Sequence, residues 1–254
     1  MLLILPPSES KRTGGEEGTA LDPGRLSFPE LAVPRREVLR ATKALARNLS
    51  TMAAALKIGP SLQHELQRNR EITTSPVMPA IDRFTGVLFD ALDAGSLSEQ
   101  ARTFAARTIA IHSALFGLVG ALDPIPAYRL SHDSRLPGLS LKKAWSKPIA
   151  SVLAQQPGLL LDLRSEAYAT LGPAPQRDGS LYLRVVAQGA DGRIRALNHF
   201  NKKGKGEFAR AVIEAGIEHP DAASLVDWAA SVGFDLGHGR PGELELVVAN
   251  SVAA

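Results

Sequence analysis

Residues 196–210 read Ala-Leu-Asn-His-Phe-Asn-Lys-Lys-Gly-Lys-Gly-Glu-Phe-Ala-Arg, and the reading of the fold turns on how that run divides. Upstream, 181–187 and 193–200 are strand-like runs joined by the turn sequence Gly189-Ala190-Asp191-Gly192. Downstream, 207–216 has helical spacing, with Phe208, Ala211, Val212 and Ala215 on one side. Between them, Lys202, Lys203 and Lys205 crowd around Gly204 and Gly206. This predicts a strand that passes through a glycine-rich basic turn into a helix N-terminus, which would aim backbone N–H groups and ammonium charges at one anion. Amines so close repel one another unless a phosphate or carboxylate lies among them. A solvated basic turn is the plainer alternative.

At 254 residues and 44% hydrophobic, the chain can bury one sizeable core or two modest ones. A net charge of +3 is only mildly basic, so a nucleic-acid surface must be a local cluster. The absence of cysteine removes disulfides, thiolate metal sites and cysteine nucleophiles, and fits a reducing cytoplasm. Met1-Leu-Leu-Ile-Leu-Pro-Pro lacks a basic leader and is too short to span a membrane, so it reads as a buried first strand.

That strand, Leu2–Leu5, stops at Pro6-Pro7 and gives way to Ser8, Glu9, Ser10 and Lys11, where open α/β sheets place ligands. Residues 13–34 read as a long loop. A helix follows Pro34, with Val38, Ala41, Thr42 and Leu45 on one side and Arg36, Arg40, Lys43 and Arg47 solvated on the other. Ser50 is the expected cap of a second short helix, and Ser96 with Glu99 the capping box of a later one. The segment 78–93 has no clear pattern, and 113–120 reads as small and flexible. Residues 108–112 and 159–163 read as buried strands, the latter interrupted by Asp162. Leu141–Ala154 reads as a helix with Trp145, Ile149, Val152 and Leu153 inward, and 243–249 as a final strand. The result is one α/β domain over 1–254, with a mixed sheet and helices packed on it.

Within 35–70, two helical patterns flank Lys57-Ile58-Gly59-Pro60-Ser61. That arrangement is similar to the helix-hairpin-helix element of DNA-repair proteins, in which hairpin N–H groups hold DNA phosphate. Pro60 removes one donor, and a plain helix corner is the alternative.

Several segments taken in order resemble the YaaA family of peroxide-stress proteins. They are Pro6-Pro7-Ser8-Glu9-Ser10-Lys11; Ser113-Ala114-Leu115-Phe116-Gly117 with Leu122-Asp123 and Tyr128-Arg129-Leu130; Ser165 with Tyr168; Asn201 to Gly206 with Arg210; and Gly242-Glu243-Leu244. The resemblance spans nearly the whole chain. It implies a fold peculiar to the family with a basic cleft, binding to duplex and distorted DNA, and a role in limiting oxidative DNA damage. By position it puts the hairpin at Lys57, Ile58, Gly59 and Ser61, and the cleft lysines at Lys202, Lys203 and Lys205. The chain departs from the family pattern at Gly120-Ala121, where Arg-Pro is common, at Ala167, where an acid is common, and at Lys205, where an arginine is common.

Two strand exits and two basic segments supply the candidate site. Ser8, Lys11, Tyr128, Arg129, Ser165, Lys202, Lys203, Lys205 and Arg210 are the expected phosphate contacts. Tyr128 is a candidate for stacking on a base, and Arg129 for a structural ion pair with Asp123 or Asp133. Glu9, Glu166 and Tyr168 are the acid/base candidates if the protein is an enzyme acting on a nucleotide, nucleoside or damaged base. No Gly-x-Ser-x-Gly elbow or phosphate-binding P-loop occurs, and the histidines show no metal-ligand spacing. The sequence therefore implies neither cofactor nor metal. DNA is the expected partner, with a nucleotide-like small molecule second. An interaction protein with scattered basic surfaces is the remaining class.

Overall fold

The computed structural model describes residues 1–59, 64–188, 194–195 and 198–249. Strand β1 (Leu2–Leu5) is followed by a long loop and then by helices α1 (Ala32–Leu45), α2 (Leu49–Ala55) and α3 (His64–Arg70). Next come β2 (Met78–Pro79), α4 (Ala80–Arg83), α5 (Val87–Leu92) and α6 (Glu99–Thr108). The central part holds β3 (Ile109–Ser113), β4 (Gly117–Gly120), β5 (Pro124–Ile125), α7 (Leu141–Ala154), β6 (Leu160–Asp162) and α8 (Glu166–Ala169). The chain continues through β7 (Ser180–Gln188), β8 (Ile194–Arg195), α9 (Asn198–Ala215), α10 (Ala222–Ser231), β9 (Asp235–His238) and β10 (Glu243–Ala249).

The main sheet runs β4-β3-β1-β6-β7-β10-β9. The five inner strands are parallel, and β4 and β9 pair antiparallel at the two edges. β8 attaches to the end of β7, and β2 pairs with β5 apart from the main sheet. The expected mixed α/β sheet is therefore observed. Every residue of β1, β3, β4 and β6 is buried, with no in/out alternation, because both faces of the sheet centre are covered. From β1 the chain crosses to β3 on one side and later to β6 on the other. The ends of β1 and β6 thus form the crevice where the strand order reverses.

The decisive stretch divides differently from its sequence pattern. β8 is only two residues long, and helix α9 begins at Asn198. The lysines and glycines therefore lie inside a helix and not in a turn before one; the expected turn at 189–192 lies outside the described residues. Each glycine costs a helix about 1 kcal/mol relative to alanine. Here the cost is offset by close packing on two sides. A Cβ on Gly204 would lie 2.8 Å from Val248 Cγ1 on the sheet, and one on Gly206 would lie 2.2 Å from the Leu88 carbonyl oxygen of α5. Only bare backbone lets α9 wedge between the sheet and α5.

Other expectations shift by smaller amounts. Asn48, not Ser50, caps α2, accepting from Thr51 N–H at 3.0 Å, and Ser98, not Ser96, caps α6. The supposedly flexible 113–120 is a buried turn leading into β4, and 78–93 holds α4 and α5. The long loop is held by two buried arginines the sequence did not single out. Arg83 donates to the carbonyls of Arg12, Gly14, Pro76 and Ile125, and Arg35 to those of Ser27, Phe116 and Leu118. A planar fork with five N–H groups is the one side chain able to satisfy so many scattered carbonyls.

Candidate functional site

A cavity of about 800 Å³ opens at the crevice beside the ends of β1 and β6. The exit of β1 contributes Pro6, Pro7, Ser8 and Glu9, and the exit of β6 contributes Leu163, Ser165 and Tyr168. Helix α9 adds Asn201, Lys202 and Lys205, while the start of α5 and Ser131-His132 close the remaining wall. Residues more than 190 apart in sequence thus surround one hollow, as the two strand exits led one to expect.

The three α9 lysines do not share one anion. On a helix they fan out by 100° per residue. Lys202 and Lys205, three apart, face the cavity, whereas Lys203 is exposed and pairs with Glu207 at 3.4 Å. Arg210 points elsewhere: it donates to the carbonyls of Leu92 and Asp93, closing the C-terminus of α5, and pairs with Glu214. It anchors α9 and is not available to phosphate.

Lys205 is 4% exposed, with a single long hydrogen bond to the Arg164 carbonyl at 3.4 Å and its amine 5.1 Å from the centre of the Tyr182 ring. Burial, and secondarily Arg184, lower its pKa to about 8 against the pull of Asp162. Lys11 differs. Its amine donates to the carbonyls of Ser8 at 2.8 Å and Glu9 at 3.0 Å, and lies 4.1 Å from the Tyr128 ring centre. Two of its three N–H donors are thus bonded to carbonyls, and its charge lies over an aromatic ring. Lys11 therefore braces the loop that carries Ser8 and Glu9, and does not reach out to a phosphate.

Burial, with Arg129 next, brings the pKa of Lys11 down to about 7. The unfolded chain keeps this proton to about 10.5 and the folded chain only to about 7. The cost of burying the ammonium is thus borne in full below pH 7, and stability rises as pH climbs from there to 10.5. Lys11→Met should remove up to about 1.4 kcal/mol per pH unit of that slope, read from urea melts at a series of pH values. An identical slope in the variant would mean the amine is solvated.

Tyr128 is fully buried, with its hydroxyl 2.7 Å from Ser113 Oγ, so neither ring face is open for stacking on a base. The Tyr128 phenol is pushed up by burial, and that of Tyr168 likewise, which disfavours either as a base. Arg129 pairs with Glu9 instead of Asp123 or Asp133. Its backbone is clasped by Asn69 of α3, which donates to the Arg129 carbonyl and accepts its N–H, both at 2.7 Å. Ser165 lines the cavity and caps α8. Glu166 turns away: it is 78% exposed and 3.7 Å from Arg184, at a separate hollow where Arg184 already pairs with Glu243.

The hairpin reading meets a different structure. α2 ends in a Schellman turn: Lys57 adopts a left-handed φ of 55°, and the N–H groups of Ile58 and Lys57 bond the carbonyls of Ala53 and Ala54. Ile58 is buried and its N–H is used, while Lys57 pairs with Asp133 at 2.5 Å. Gly59 follows this helix stop, and Ser61 lies outside the described residues. Three neighbouring groups gave no motif signal in the sequence: His132, Asn69, and a buried network of Asp162, Arg164 and His112. Only Asp162, an acid within an apolar strand, hinted at it.

Among the described residues, no cluster of three or more His, Asp or Glu side chains could hold a metal, and no helix is long and apolar enough to cross a membrane.

A parallel-centred sheet with a lysine-bearing hollow at its switch point defines the class as a single-domain α/β protein with a mixed sheet. Within that class, the chain belongs to the family described as "Peroxide stress protein YaaA", whose profile matches residues 1–234. It is 40% identical to a "UPF0246 protein" of Corynebacterium glutamicum over 92% of this chain and 94% of that one. It is 39% identical to one from Corynebacterium efficiens, covering 98% and 100%, and 36% identical to one from Streptomyces coelicolor, covering 98% of each.

Proposed function

We propose that this protein serves peroxide defence by binding DNA through its phosphates, with one nucleotide unit of a distorted duplex entering the cavity. One observation carries the reading: Ser8, Ser165, Lys202 and Lys205 surround a hollow of about 800 Å³ at the strand ends. That volume suits one nucleotide and excludes a duplex, which must therefore lie across the rim, where Lys202 and Lys203 are exposed. Distorted sites pay less to unstack a base, so they are the preferred substrates for such a pocket. The Ile58 N–H is already bonded, so the 57–59 turn adds no hairpin contact. A cytoplasmic site of action goes with a DNA partner and a chain free of cysteine.

Binding should fall steeply with salt and show little sequence preference. The double variant Lys202→Ala/Lys203→Ala is expected to reduce the slope of log affinity against log salt by about one to two, measured by fluorescence anisotropy on a duplex with one unpaired nucleotide. An unchanged slope removes both lysines from the interface. Equal affinity for a perfectly matched duplex removes the cavity from the reading.

A second reading, an enzyme acting on a nucleotide, nucleoside or damaged base, is favoured by the buried amine of Lys205 in the cavity wall.

A further inference from the structure

Lys205 stands apart from every other lysine placed in or near the site. Lys202 and Lys203 are exposed, Lys57 is ion-paired, and Lys11 donates to two carbonyls and lies over the Tyr128 ring. Lys205 is 4% exposed and lines the cavity, yet makes one bond of 3.4 Å and has no carboxylate within ion-pair distance among the described residues. The nearest buried acid, Asp162, is already held by the fork of Arg164, at 2.8 Å to Nε and 2.6 Å to Nη2. A buried lysine left with spare donors against a hollow lacks the partner that would hold it charged.

We propose that Lys205 is an amine nucleophile that forms an imine with an aldehyde-bearing phosphosugar in the cavity, the ring-opened deoxyribose of a base-less nucleotide being the form DNA would present. This rests on the DNA reading above and names its substrate. The lowered pKa of about 8 leaves an appreciable fraction of the amine neutral near physiological pH. In the reaction, the Lys205 Nζ lone pair attacks the aldehyde carbon and the carbonyl π pair moves to oxygen. A proton passes from nitrogen to that oxygen to give the carbinolamine. Nitrogen then expels hydroxide, which takes a proton and departs as water, leaving the C=N bond. No oxidant or reductant is needed. The hydroxyls of Ser8 and Ser165 and the imidazole of His132 line the same hollow and can relay the proton. A guanidinium cannot lose its proton to attack a carbonyl, so Lys205→Arg keeps the charge and removes the nucleophile.

The test uses the full chain and two labelled duplexes, one with an aldehydic abasic site and one with its tetrahydrofuran analogue, each with cyanoborohydride at pH 8. The expected result is a covalent adduct with the aldehydic duplex alone, mapped by peptide mass spectrometry to Lys205. Lys205→Arg should lower its yield at least tenfold, with both proteins compared at concentrations that saturate the duplex. Binding of both duplexes with no adduct overturns the imine and leaves the DNA reading standing. An adduct mapped to Lys11 or Lys202, or one undiminished in Lys205→Arg, also overturns it. Failure to bind either duplex sinks the DNA reading and the imine together.

Discussion

Gly206→Ala is expected to destabilise the fold by about 3 kcal/mol or more, although alanine is the better helix former. The added methyl would sit 2.2 Å from the Leu88 carbonyl oxygen and 2.9 Å from Ala91 Cβ, both on α5. The first clash is with backbone, so no side-chain rotation relieves it, and the two helices must separate. Propensity alone predicts a gain of about 1 kcal/mol, so the sign of the effect separates the two accounts. Two comparisons sharpen it. Gly204→Ala meets Val248 Cγ1 at 2.8 Å, a side chain that can turn, and should cost less. Gly237→Ala meets nothing within 4 Å and should fall within about 0.5 kcal/mol of the parent. Because α9 carries Lys202 and Lys205, the shift should also displace both lysines from the cavity wall in the fraction that folds. A stability equal to or above the parent's in urea titrations would mean that α5 and α9 do not pack on this glycine.

The same glycines show what the sequence could and could not tell. The run Leu2–Leu5 and the run 159–163, interrupted only by Asp162, are legible as central strands because a strand buried on both faces leaves a near-continuous hydrophobic signature. Their polar exits, with Ser8 and Ser165, follow from the topology of such sheets and do meet at one cavity. The glycine-rich start of α9 misleads because local propensity argues against helix there, while the cause of the helix is a distant packing surface. The same limit applies to Tyr128 and Lys11. A tyrosine-arginine pair and a basic strand exit look like ligand contacts in one dimension. Only the fold reveals that Lys11 packs onto Tyr128 and that Arg129 is paired with Glu9. Charge in a sequence reveals the supply of cations, whereas availability depends on which carbonyls, rings and acids lie close by. Lys205 carries the converse lesson: it is the most buried lysine of α9 and yet makes only one long hydrogen bond, and neither property is encoded locally.

Arg164→Met should cost about 3–5 kcal/mol, because it strands a charge and several acceptors in the interior. Arg164 is fully buried and grips Asp162 with two parallel N–H groups, while a third nitrogen bonds His112 Nδ1 at 2.9 Å and the Gly172 carbonyl at 2.8 Å. Because the guanidinium always donates, it fixes His112 Nδ1 as an acceptor and leaves the proton on Nε2. Burial, and then Arg164 itself, hold the His112 imidazole well below its ordinary pKa, so the ring stays neutral throughout the physiological range. Methionine matches the length of the arginine stem but offers none of these bonds, and Asp162, 3% exposed, is left without its cation. The loss should therefore exceed that of removing both charges together. Arg164→Met/Asp162→Leu is expected to recover most of the stability, since a well-packed apolar pair can equal a buried ion pair. The two backbone oxygen contacts at Arg164, from the Tyr182 hydroxyl at 2.9 Å and from Lys205 at 3.4 Å, do not depend on its side chain. The double variant should thus keep Lys205 in the cavity wall and retain the abasic-site adduct. If the single variant melts with the parent, the network carries no stability. If the double variant folds but forms no adduct where the parent forms one, the Asp162–Arg164 pair is itself required to set the Lys205 amine.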